Sequence, residues 1–436
     1  MTAIVGVINS QGIAIAADSA LTVSGGNIKK VYNKSNKIFT LSKYHPVGIA
    51  IYNSANFMGI PLETLIKMYR DNLKRKSFGT LKEYKDSFLN FLLVSLQYVS
   101  PETKGQQLYN LCRINYTTLP QKIIDAIGAE KDELQILKKG DAIVKTNEIA
   151  ISEVKKYFDL INGYKKSSTL NIEFSDFENS YKKELDVIVK YIEDEVKKLY
   201  VNISLNDDSK KIIKQTMLCV CNLDTIFELS CGLVFFGFGD KEVFPSSQVI
   251  VLGSAINNKL RYFEGNMVTI SPGIMNSNIL PYVQGDVTYT VLTGIDPAYQ
   301  SEINASIKAA FNTISDAIKP QIKNSKNSIK IAKLITKTSD ELISQLENYQ
   351  QLTITSPLLD TLVHMGKEDM AELAESLVNI TSLKRKFSTA DPSDESVGGP
   401  VDVAIVTKGD GFIWMKRKHY FDIEINKGFL NKYYNS

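Results

Sequence analysis

Histidine and cysteine are scarce: three His (His45, His364, His419) and four Cys (Cys112, Cys219, Cys221, Cys231) in 436 residues. No two histidines stand four apart, none neighbours a cysteine cluster, and Cys219-Val220-Cys221 is set too closely for the usual zinc pair. Metal catalysis is therefore demoted, and neither a metal site nor a cofactor is expected. So few thiols exclude a disulfide framework and read as reduced, buried groups. Neither sign of charge prevails, with 51 Lys plus Arg against 48 Asp plus Glu. That balance argues against nucleic acid or an anionic membrane as partner. No apolar run approaches the roughly 18–20 residues of a membrane helix. The apolar stretch 3–7 has no Lys or Arg before it and is interrupted at 9–12, unlike an export signal, so a cytoplasmic protein is expected. What is plentiful is ordinary: 44% hydrophobic and 23% charged residues, the proportions of a globular chain long enough for two or three domains.

Along the chain, residues 3–8 and 13–17 are β-rich runs joined by Ser10-Gln11-Gly12, a hairpin signal, and both are apolar on both faces. Residues 37–41 and 46–52 repeat the pattern. From about 53 the period turns helical, with helices expected over 82–98, 119–138, 142–160, 176–202 and 208–222. Strands return at 229–238, 247–253, 259–263 and 266–271. Helices are expected at 278–293, 297–322, 327–350 and 356–382, then a polar Ser/Asp/Pro/Gly loop at 388–400 and a last hairpin over 401–407 and 411–415. There is no regular βα alternation, which points to two antiparallel sheets with helices outside. The block at 76–223 reads as an α-helical insertion packed on itself or on a partner.

Familiar catalytic sets are missing. Gly253-Ser254 lacks the G-x-S-x-G frame, and Gly237-Phe238-Gly239 leads into Asp240-Lys241-Glu242, not into a phosphate-binding helix. The runs Lys384-Arg385-Lys386 and Lys416-Arg417-Lys418 have no interleaved aromatics and read as solvated surface. The unusual feature is the start. Met1 followed by the small residues Thr2 and Ala3 is a context for methionine removal, which leaves Thr2 with a free α-amine. An α-amine titrates near 7.7–8.0, so close to neutrality it can take the proton of its own residue's hydroxyl without a histidine.

The residues Thr2-Ala3-Ile4-Val5-Gly6-Val7 and Gly12-Ile13-Ala14-Ile15-Ala16-Ala17-Asp18-Ser19 resemble the opening of proteasome β subunits and the bacterial HslV peptidase, with the same spacing from Thr2 to Asp18. The segment 37–41 resembles the one that carries that family's active-site lysine. Residues 394–399 and 409–412 resemble its Asp-x-x-Ser-Gly-Gly loop and closing hairpin. The resemblance covers roughly 1–75 and 228–415 with interruptions.

It implies an α+β fold, a four-layer αββα Ntn-hydrolase sandwich with an inserted α-helical domain. The division is 1–75 with 224–421 as the core, 76–223 as the insertion and 422–436 as a tail. Thr2 is then the nucleophile, with Lys37, Asp18 and Asp394 as its supporting set and no cofactor. The physics agrees: a cation beside the hydroxyl favours the alkoxide, and a carboxylate keeps that cation charged. Ile51 stands where the family has a glycine whose backbone N–H faces the oxyanion. Val397 replaces the family's serine, so Ser396 is the nearest hydroxyl there, and Ser271 or Ser277 answers to a second supporting serine. A threonine-type peptidase or amidase is expected, acting on a peptide or protein substrate. Family members are rings, which implies a homo-oligomer. The alternative is an inactive scaffold that binds or senses a partner protein through its helical insertion.

Overall fold

The computed structural model describes residues 2–25, 28–32, 35–167, 170–321, 325–387, 398–419, 422 and 424–428. The chain opens with β1 (Ile4–Asn9) and β2 (Gly12–Ala17), whose residues are all buried, which accounts for the lack of alternation in their sequence. A two-stranded ribbon, β3 (Leu21–Gly25) and β4 (Ile28–Tyr32), follows where no strand was expected. Then come β5 (Ile38–Thr40), β6 (Val47–Asn53) and a short ribbon of β7 (Asn56–Phe57) and β8 (Ile60–Pro61). This ribbon leads into α1 (Leu62–Leu73) and α2 (Leu81–Ser95), the latter capped by the Thr80 hydroxyl accepting from Glu83 N–H.

Six helices come next: α3 (Pro101–Ala129), α4 (Lys131–Ile136), α5 (Lys139–Asn162), α6 (Phe174–Ser180), α7 (Lys182–Lys197) and α8 (Asp207–Cys221). The expected start at 119 is corrected, because α3 runs straight through Pro120. Its inner stripe of Leu108, Leu111, Cys112, Leu119, Ile123 and Ile127 is fully or almost fully buried, and that burial outweighs the roughly 3 kcal/mol an interior proline costs. Phe177, Leu185, Ile188 and Ile213 complete this core, to which the sheets add one residue, Ile256, among those described. By contrast, α2 packs on a sheet.

Strands resume with β9 (Cys231–Gly237), β10 (Ser246–Ile256), β11 (Lys259–Glu264), β12 (Val268–Thr269) and β13 (Ser277–Val283). The last replaces the first half of the helix expected at 278–293. Pro281 in this segment fits no helix interior, but β13 is an edge strand, where a missing N–H is tolerated. Beyond it lie α9 (Asp286–Thr293), α10 (Pro297–Ile318), α11 (Ser325–Gln350), α12 (Ser356–Val363), α13 (Lys367–Phe387), β14 (Asp402–Thr407) and β15 (Gly411–Lys416).

The architecture is mixed α/β. One antiparallel sheet has the order β13-β1-β2-β14-β15; the other runs β11-β10-β9-β6-β5, with β12 on β10. Ile8, Ile13 and Ile15 of the first sheet face Ala50, Val234 and Phe236 of the second. On its other side the first sheet packs Val5, Val7 and Ala16 against Met370, Ala374 and Leu377 of α13. The second packs Ile49, Leu233 and Phe235 against Leu65, Tyr84 and Phe88 of α1 and α2. Each aliphatic or aromatic side chain buried this way contributes about 1.5–3 kcal/mol.

Helices α10 and α11 form an antiparallel arm. Its register is marked by Gln300 Nε2 donating to Gln350 Oε1 at 3.0 Å and by Lys308 facing Asp340 at 3.4 Å. At the base, Gln350 Nε2 donates to Thr293 O at 2.8 Å. Along the arm the buried residues among those described are Ser315, Ser339 and Ile343.

Candidate active site

Thr2 enters β1 at one end of the first sheet and is 9% exposed. Ile4 is in register with Ala17, so Asp18 comes opposite Ala3. The Ala3 N–H donates to Asp18 Oδ1 at 2.8 Å, and Asp18 N–H donates to Ala3 O at 3.2 Å. Lys37 approaches from the other sheet, one residue ahead of β5, and its ammonium also donates to Asp18 Oδ1, at 2.7 Å. The second oxygen, Oδ2, accepts the N–H groups of Ala20 and Gly398, each at 3.1 Å. The carboxylate is thus held by three backbone donors and one ammonium. The Lys37 and Asp18 side chains are 5% and 1% exposed.

The consequence is electrostatic. Burial pushes the Lys37 ammonium below its ordinary pKa, and Asp18 opposes that shift by charge and hydrogen bond. Lys418 lowers the Lys37 value further and Asp402 raises it. These last two form a second ion pair that sequence reasoning missed. Asp402, 3% exposed, pairs across the sheet with Ala17 and accepts the Lys418 backbone N–H at 2.9 Å as well as its ammonium. The reading of 416–418 as solvated surface is corrected for Lys418, whose side chain is 12% exposed. Lys416 bonds Glu375, while Lys384 and Arg385 clamp Asp286. A lysine two residues beyond the final strand was the available signal, but nothing in its spacing names its partner.

The other expected site residues fare differently. The Ile51 N–H donates to Lys37 O at 2.8 Å. It is part of the pairing of β5 with β6, so the expected oxyanion role is corrected: this donor is already committed. Ser277 Oγ donates to Leu359 O, and its strand places it opposite Asn9, the far end of β1. At about 3.3 Å per residue that is roughly 20 Å from Thr2. Ser271 bridges to Met275, two residues before Ser277, and so belongs to the same far end. Neither serine is placed to support Thr2. Asp394, Ser396 and Val397 lie outside the described residues. The described segment from Gly398 is anchored at the site: Ser19 N–H donates to Gly398 O at 3.1 Å and Ser19 Oγ to Pro400 O at 2.5 Å.

Among the described residues no group of three or more His, Cys, Asp or Glu is placed to hold a metal ion. Among them, too, no helix is long and apolar enough to cross a membrane. All four cysteines are buried and free of disulfides. A groove of about 900 Å³ lies along α11, far from this chemistry in its lining: its wall includes Lys333, Thr336 and Ser344 but none of Thr2, Asp18 or Lys37.

No family model and no curated protein matches the chain. Among solved structures it aligns with the Anbu (Gly-1) mutant from Hyphomicrobium sp. strain MC1, at 8% identity and a TM-score of 0.24, covering 100% of this chain and 94% of that one. It also aligns with Anbu (ancestral beta-subunit) from Yersinia bercovieri, at 9% identity and a TM-score of 0.25, covering 100% and 96%. Values this low settle neither fold nor chemistry. The assignment to the proteasome β-subunit and HslV-like family is corrected on these findings: no family model supports it, and the structures found are of Anbu, proteasome-like but distinct.

Proposed function

We propose that the chain is an N-terminal threonine amidohydrolase, built as an αββα Ntn-hydrolase sandwich into which a helical domain is inserted at α3–α8. With Met1 removed, the Thr2 hydroxyl attacks an amide carbonyl while the α-amine of Thr2 takes its proton. The amine then passes that proton to the departing nitrogen as the C–N bond breaks, and water hydrolyses the acyl ester. Lys37, kept charged by Asp18, favours the developing alkoxide.

One observation carries this reading: Asp18 Oδ1 accepts both the Ala3 N–H, at 2.8 Å, and the Lys37 ammonium, at 2.7 Å. A buried cation and the peptide bond of Thr2 meet over a single oxygen, at the end of a strand whose residues are all buried. Peptides or proteins fit best as substrates of such a hydrolase. A scaffold without catalysis is favoured by one fact, the commitment of the Ile51 N–H to its sheet.

The test is intact mass followed by labelling with a peptide electrophile that needs both the hydroxyl and the free amine of a threonine. The mature chain is expected to lack Met1 and to gain one label, and Thr2→Ala to gain none. A retained Met1, or equal labelling of the variant, removes the proposal; a trimmed chain that takes no label favours the scaffold.

A further inference from the structure

The α10–α11 arm carries two features that its own packing leaves unused. The first is a second apolar stripe. Within the arm the two helices meet through Gln300, Ser315, Ile335, Ser339, Ile343 and Gln350, residues recurring at the three- and four-residue steps of a helix seam. One position ahead of these, Ser339 with its preceding Thr338 excepted, or of their seam neighbour Asn304, stand Tyr299, Ile303, Ile314, Leu334, Leu342 and Tyr349. In an antiparallel hairpin a fixed offset from the seam faces the same side on both helices, because the two chains turn in opposite senses when viewed from one end. These six side chains therefore share one face. Ile303 is half-buried, and the other five are between 37% and 66% exposed. Helices of a four-helix bundle are apolar over such a widened arc, while a lone hairpin needs only the seam.

The second feature is charge. Among the described residues, 308–321 and 325–337, the half of the arm away from the body, hold six lysines and one acid, Asp316. Residues 297–307 and 338–350, the half next to the body, hold four acids, Glu302, Asp340, Glu341 and Glu347, and no Lys, Arg or His. The arm is a charged rod, basic at the tip and acidic at the base.

We infer that the arm docks antiparallel on the arm of a second copy of this chain, apolar face to apolar face, closing a four-helix bundle about a two-fold axis. An antiparallel partner sets each basic tip against an acidic base, and a two-fold axis makes both halves match at once. The shared face is about 33 Å long at 1.5 Å per residue and two helices wide. Doubled, it buries on the order of 1,000 Å², the size of a specific contact. An anionic polymer or membrane would engage the lysines but leave the acidic half and the six apolar side chains uncovered. A second copy answers all three.

Sedimentation of the full chain tests this. The wild type is expected to sediment as a dimer that weakens with salt. Leu342→Asp with Tyr349→Asp, both at exposed positions, is expected to raise the dimer dissociation constant by about a hundredfold, as loss of interface anchors does, with unchanged far-UV circular dichroism. Lys319→Glu, Lys330→Glu, Lys333→Glu and Lys337→Glu together make the arm acidic at both ends, and Glu302→Lys, Glu341→Lys and Glu347→Lys together make it basic at both ends. Each multiple variant alone is expected to be monomeric, and an equimolar mixture to form heterodimers. A monomeric wild type overturns the inference, including one whose arm instead shifts on duplex DNA or anionic vesicles. So does an oligomer insensitive to the aspartates, or a mixture that stays monomeric.

Discussion

At the residue scale, the most consequential group is the Asp18 carboxylate, because every acceptor position it offers is taken. Removing it strands the Lys37 ammonium in a buried site and leaves the N–H groups of Ala3, Ala20 and Gly398 without their acceptor. Breaking a buried pair from one side costs about 3–5 kcal/mol. Asp18→Ala should therefore lower unfolding stability by that amount in urea titration, and a loss under about 1 kcal/mol, the size of an exposed pair, would show the pair to be solvated. Asp18 and Lys37 were legible in the sequence because each sits beside a strand in a recognisable spacing. The Asp402–Lys418 pair was not, since its lysine belongs to a run that by composition alone reads as surface. Ile51 failed for a related reason: spacing marks a backbone position but does not say where its N–H already points.

At the scale of elements, the strands of both sheets were largely readable from apolar runs and turn residues, while β13 was not. A segment with proline and mixed polarity has no strand signal until an edge position is available to hold it. The contact between the sheets makes a sharper prediction. Gly48 of β6 lies under the Phe236 ring, and a Cβ added there would meet that ring and come within 2.8 Å of the Phe412 ring. Gly48→Ala should cost about 1–3 kcal/mol by overpacking. Urea midpoints measure this, and an unchanged midpoint would mean that the two rings move aside freely.

At the scale of the whole molecule, the helices α3–α8 own a core that the sheets scarcely share. Phe177 is fully buried in it. Phe177→Ala should remove about 3–5 kcal/mol from that block. Hydrogen exchange should accelerate in α3, α5, α7 and α8 while β1 and β2 stay protected; uniform acceleration would show one cooperative unit. Composition and period disclosed that this block is helical, but which helix serves which core depended on packing. It is α2, inside the block by sequence, that covers the second sheet.

The strand β14 lies between β2 and β15, although hundreds of residues separate it from β2 in the chain. Asp18 gains its Gly398 donor, and Ser19 its Pro400 acceptor, only from the segment that leads into that strand. During synthesis on the ribosome the first hairpin emerges early and waits for almost the entire polypeptide before these bonds can close. A nascent chain short of residue 398 holds an unfinished carboxylate clasp, so the timing of translation itself keeps the site unassembled until the protein is nearly complete.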